Sequence, residues 1–161
     1  MKIYLYIILS IIMFVVFIQD IKYRAIHYSL LILIVLVNFV LWFNYSKDYR
    51  TLLFNLFFLI TTLLGLKIYV TITKKKKTEG MYLGLGLGDL LFFLVVIPLF
   101  STKNYIFFFI TGMIFSLIMH LFLKKISNNN LIPLAGYLAL YIIILEGFML
   151  LSGNDFHNNL I

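Results

Sequence analysis

Long apolar runs, separated by short polar segments, make up most of the 161-residue chain. Six of them stand out, at residues 3–18, 29–44, 51–71, 82–100, 104–123 and 131–151. Crossing a hydrocarbon core takes about 20 helical residues at about 1.5 Å each, and these runs are of that order. The first run, IYLYIILSIIMFVVFI, does not alternate polar with apolar positions. Strands of a transmembrane barrel would alternate in segments of about ten residues. Backbone groups in lipid must find partners within the chain, and without alternation that leaves helices. The pattern predicts an all-α, polytopic transmembrane bundle of about six spans, a single membrane-embedded domain over residues 1–161.

Composition agrees with the pattern and excludes a water-soluble domain. The chain is 63% hydrophobic and 12% charged, with a mean hydropathy of +1.08, and a soluble domain of this size needs a larger charged surface. Lys2 before an apolar run has the start of a signal peptide, but FIQDIKYR offers no small-x-small cleavage site and further spans follow. The segment is therefore expected to remain as the first helix. The chain has no cysteine, which excludes disulfides, thiolate metal sites and a cysteine nucleophile. His27, His120 and His157 lack the paired spacing of a metal site.

The basic residues give an orientation. The first, third and fifth connections carry two, four and two Lys or Arg, and Lys67 lies close to the third. The N-terminus and the second and fourth connections carry one, two and one. Lys and Arg favour the cytoplasmic side, so the odd connections are expected inside and both termini outside, in the inner (plasma) membrane. The four lysines at 74–77 are read as a topological anchor with affinity for acidic headgroups, and nothing around them resembles a nucleic-acid-binding fold.

That orientation brings two acids to one side. Asp20 ends the first run, and Asp89 follows the glycine-rich LGLGLG at the start of the fourth. If the fourth helix begins near Tyr82, Asp89 lies about 10 Å along it. Asp48 and Asp155 fall in outside segments, and Glu79 falls in the lysine connection. An ionisable group within a span is costly and is a functional candidate by default. Two carboxyls close together cannot both ionise, so such a pair holds a shared proton. One member then activates a water as general base while the other, protonated, polarises a carbonyl. This chemistry needs no metal, cofactor, serine or cysteine. Gly80, Gly84 and Gly88 have the GxxxGxxxG spacing of close helix packing, and Gly86 and Gly88 leave room beside Asp89 for an extended peptide. Asn38 and Asn55 are expected to bond between helices, His120 to lie at the interface, and Glu146 to play a structural role toward the outside.

GLGD at 86–89, with QDIKYRAI at the end of the first run, resembles the prepilin peptidase family of GxGD-type membrane aspartic peptidases. LIPLAGYLAL at 131–140 looks like the segment that opens the family's last helix. The three pieces come in the family's order and span most of the chain. The resemblance implies Asp20 and Asp89 as the catalytic pair, with Gly86, Gly88, Lys22, Arg24, His27 and Pro133 shaping the site or binding substrate. Lys22 and Arg24 either favour ionisation of Asp20 or lie at the headgroups, and headgroup contact is the expected role. The resemblance further implies cleavage of the leader from type IV pilin-like precursors at the cytoplasmic face, with the precursor and the lipid bilayer as partners. The chain lacks the insertion and paired cysteines of members that also methylate, so peptidase activity without methylation is expected. Two positions depart from the family pattern. Ile26-His27-Tyr28 stands where members often have Ile-Pro-Asn, and Leu91 where a lysine is usual. Presenilin-like proteases share GxGD but are longer. The rival readings are a small proton-coupled transporter using Asp20, Asp89 and Glu146, and a homologue that binds pilin-like proteins without cutting them.

Overall fold

The computed structural model describes residues 2–73, 86–123, 132–152 and 156, all helical apart from short connections. The helices are α1 (Lys2–Tyr23), α2 (Tyr28–Tyr45), α3 (Tyr49–Thr73), α4 (Leu87–Val95), α5 (Thr102–Leu123) and α6 (Leu134–Ser152), with a 3-10 turn at Ile97–Leu99. All but α4 are long and apolar enough to cross a membrane. The chain is therefore a polytopic helical membrane protein. The lysines at 74–77, Glu79, Gly80, Gly84, Asp155 and His157 lie outside the described residues.

The boundaries have local causes. α1 stops at Arg24, whose left-handed backbone (φ 54°) lets its N–H donate to the Asp20 carbonyl at 2.9 Å. α2 ends the same way, with Ser46 and left-handed Lys47 (φ 51°) both donating to the Trp42 carbonyl at 2.9 Å. Asp48 caps the start of α3, accepting from the Arg50 N–H at 3.0 Å and the Thr51 hydroxyl at 2.7 Å. The Thr51 hydroxyl and then the Arg50 amide hold the Asp48 carboxyl below its ordinary pKa. Asp48 is thus a helix cap.

The fourth span differs from the expectation of a full crossing over 82–100. Gly86 is extended (φ −68°, ψ 151°), α4 starts at Leu87, and the apolar helix Leu87–Leu99 falls short of membrane length. Glycine gives up the most backbone freedom in a helix, and Pro98 removes a donor and clashes with the preceding turn. Asp89 consequently stands in the first turn of α4 rather than about 10 Å along it.

A helix that stops inside a bundle leaves carbonyls needing partners. Three other helices supply them. Asn38 of α2 donates to the Val95 carbonyl at 2.8 Å, and Tyr105 of α5 donates to that of Phe93 at 3.2 Å. Asn55 of α3 donates to Phe100 at 3.0 Å and to Ile97 at 3.5 Å. The expected interhelical bonds of Asn38 and Asn55 are thus present, directed at backbone.

α6 forms the centre, packed along α1 and against α5. The antiparallel α1–α6 seam is pinned at two levels: Ser10 donates to Glu146, and Gly136 donates to Asp20. The two levels are ten residues apart on each helix, about 15 Å. Gly112 lets α5 approach α6, since a Cβ there would lie 2.7 Å from Leu138 Cδ2. Large apolar side chains such as Phe14, Leu36, Phe57 and Leu121 point outward, the surface lipid covers.

Asn55→Leu should leave the carbonyl of Phe100 without its partner. About 1–3 kcal/mol of stability should be lost, read as a lower melting temperature in detergent. Asn44→Leu, which loses only a bond to Val40 of its own helix, should change it little. Equal melting temperatures would show that the α4 end does not depend on Asn55.

Candidate active site

The site is built on the first turn of α6. The first four N–H groups of a helix have no partner within it, and Ser, Thr, Asp or Asn usually caps them. Here buried Pro133 holds the position before Leu134 and offers no such side chain. Its carbonyl accepts the Tyr137 N–H at 3.1 Å, so its backbone starts the helix. The next two amides point elsewhere. The Ala135 N–H donates to Asp89 Oδ1 at 2.9 Å, and the Gly136 N–H donates to Asp20 Oδ2 at 2.7 Å. Two aspartates from two different helices thus cap a third, on adjacent amides.

This arrangement fixes the two carboxyls relative to one another. Asp20, in the last turn of α1, is 6% exposed, and it lies within electrostatic reach of Asp89. Asp89 Oδ2 also accepts the Gly86 N–H at 3.1 Å, closing α4's own first turn. The positive end of the α6 dipole faces both groups, which favours negative charge there. Burial and mutual repulsion oppose a second charge. The geometry suits a pair carrying one shared proton, able to take a proton from water with one member and donate with the other.

The other expected site residues divide. Gly86 belongs: a Cβ there would lie 3.2 Å from Asp89 Oδ2, while its extended backbone is open to any residue. A Cβ on Gly88 would meet Ile26 Cδ1 at an ordinary 3.7 Å, so its absent side chain widens the flank of Asp89 only modestly. Lys22 is exposed, its Nζ 5.1 Å above the Tyr23 ring. Arg24 is half-buried, with Nε and Nη1 dry. The side chain of His27 is exposed, and its backbone N–H donates to Gln19 Oε1 at 3.2 Å. Glu146, 2% exposed, belongs to the far end of the α1–α6 seam.

Ala135 and Gly136 were missed as site residues although their segment stood out in the sequence. The available signal was the missing cap: a proline-led apolar helix start within a membrane must borrow partners from elsewhere. Among the described residues no cluster of three or more His, Cys, Asp or Glu could hold a metal. The chain matches no family model, no curated protein and no solved structure.

Gly136→Ala would place a Cβ 3.1 Å from both Cβ and Oδ2 of Asp20 and 3.4 Å from the Phe17 carbonyl. Alanine gains about 1 kcal/mol of helix propensity over glycine, but the neighbour that must yield is the buried carboxyl held by this same amide. The amide at position 136 should exchange hydrogen faster, measured by exchange mass spectrometry in nanodiscs. Unchanged protection would show that α1 shifts without loosening the bond.

Proposed function

We propose that the protein is a membrane aspartic endopeptidase of the prepilin peptidase type, cutting the leader from pilin-like precursors at the cytoplasmic face of the plasma membrane. The observation that carries this reading is the bonding of Asp20 and Asp89 to the adjacent amides of Gly136 and Ala135. It joins all three sequence segments of the resemblance at one place. A packing role for any one segment would not require the others to meet there.

In this reading one carboxylate of the pair draws a proton from a water, and the oxygen attacks the scissile carbonyl carbon. The partner's proton passes to the carbonyl oxygen, giving a neutral tetrahedral diol. Collapse of the diol breaks the C–N bond: the leaving nitrogen takes the proton held by one carboxyl while a diol hydroxyl gives its proton to the ionised partner, so the pair again holds one proton. The α6 amides hold both carboxyls through the cycle, so little reorganisation accompanies each transfer. The apolar helix of the precursor would lie among these helices, with the bond to be cut at the end of the bundle where Asp20 and Asp89 meet.

The test is co-expression with pilin-like precursors of the same genome, reading the mature N-terminus by mass spectrometry. Wild type should remove the leader without methylating the new terminus, and EDTA should not slow it. Asp20→Asn and Asp89→Asn should each reduce cleavage by at least about a thousandfold, as losing a member of a catalytic pair does, while remaining inserted. Full activity in either variant would remove the pair from the mechanism. A well-inserted wild type that cuts no precursor would shift the assignment to a non-cutting homologue or a proton-coupled transporter.

A further inference from the structure

The side chain of Arg24 has a location that capping α1 does not account for. The residue's left-handed backbone (φ 54°) closes the end of α1, as that of Lys47 closes α2. Its side chain is half-buried, and two of the three guanidinium nitrogens are withdrawn from the surface. Nε and Nη1 are both buried, and neither has a hydrogen-bond partner. Two residues earlier, Lys22 is exposed over the Tyr23 ring, so an outward path exists at this helix end. Guanidinium nitrogens kept dry without hydrogen bonds are costly unless opposite charge lies near.

The groups around it identify that charge. Arg24 is within electrostatic reach of Asp20 on its own helix and of Tyr137 on α6. Asp89 of α4 lies beyond Asp20, within reach of that carboxyl. His27, on the same connection, is exposed. The acids described at this end of the bundle are Asp20 and Asp89, and both direct oxygens at α6 amides rather than at the guanidinium. Arg24 therefore acts on the pair by its field, without competing for the lone pairs that α6 holds.

We propose that Arg24 is the counter-ion of the aspartate pair, one fixed positive charge beside the single negative charge that two carboxyls sharing a proton carry. The inference rests on the peptidase reading, since a pair that activates water must keep one member ionised at working pH. Arg24 is then a positioning residue, acting through Asp20 and touching no reacting atom.

The experiment follows cleavage of a precursor by the full-length protein in nanodiscs across pH. Arg24→Gln should move the acid limb of kcat/KM upward by about one pH unit, a roughly tenfold loss on the acid side with little change on the plateau. Arg24→Lys, which keeps the charge, should restore most of the profile. Lys103→Gln, the same charge change on an exposed residue of α5, should leave it in place. The protonated carboxyl band, followed by infrared spectroscopy and assigned with Asp20→Asn and Asp89→Asn, should persist to correspondingly higher pH in Arg24→Gln. A uniform loss at every pH with the band unmoved would reduce Arg24 to a structural role and overturn the proposal. A wild type that cuts nothing would overturn the peptidase reading, and the infrared titration would still decide the counter-ion.

Discussion

Two hydrogen bonds at the start of α6, from Ala135 to Asp89 and from Gly136 to Asp20, tie the bundle together at one end. A helix beginning within a membrane protein has no water to satisfy its first amides, and α6 carries no cap of its own. The two aspartates supply the cap, and the helix supplies donors that make a buried carboxylate tolerable. Neither side of this exchange is stable alone. An acid in lipid without donors would be neutralised or expelled, and each first-turn amide without an acceptor would cost about 1–3 kcal/mol. Capping α6 and assembling the carboxyl pair are thus one event, and the bundle cannot close at this end without bringing Asp20 and Asp89 together.

The short α4 follows from the same constraint. For Asp89 to reach Ala135 from a helix N-terminus, α4 must begin at the level of the pair, where Gly86 closes its first turn. Stopping at Val95, it leaves carbonyls inside the bundle, and Asn38, Asn55 and Tyr105 meet them from three directions. Among the described residues α3 buries only Asn55 and Leu59, so Asn55 is its one buried polar tie to the rest of the bundle. This is expected in lipid, where apolar burial between helices brings little gain and polar contacts decide which helices meet. The Ser10–Glu146 pair does the same on the α1–α6 seam, fixing the register that places Asp20 opposite Gly136.

How much of this was legible in the sequence depended on the range of the signal. The helices were readable because a span is a local property of twenty neighbouring residues, and Asp20 and Asp89 because charge is conspicuous against apolar surroundings. The end of α4 was not read, although Pro98 marked it. In an apolar run a proline also fits an ordinary kinked span, and only the asparagines of other helices make a stop affordable. Gly136 was invisible as a site residue because its role depends on α1 arriving 116 residues away in sequence. A basic residue at a helix end normally goes to the headgroups, and nothing in the neighbouring sequence marks Nε and Nη1 of Arg24 as buried. The left-handed turn that reverses the chain behind it has no sequence signature at an arginine.

The two positions that depart from the pattern the chain resembles can be weighed by the same geometry. Leu91 lies two residues beyond Asp89, about 200° around a helix, so a lysine there would not face the carboxyl, and its absence removes no partner of the pair. His27 occupies the proline position with φ −65° and ψ 133°, a backbone proline itself would adopt. Proline would lose the N–H that histidine donates to Gln19, a bond tying the turn back to α1 one residue before Asp20. The turn after Asp20 is therefore held by a hydrogen bond where a proline would hold it by ring closure, and the same peptide path results. Neither position takes part in holding the pair, where Gly86 and Ala135 donate to Asp89 and Gly136 donates to Asp20.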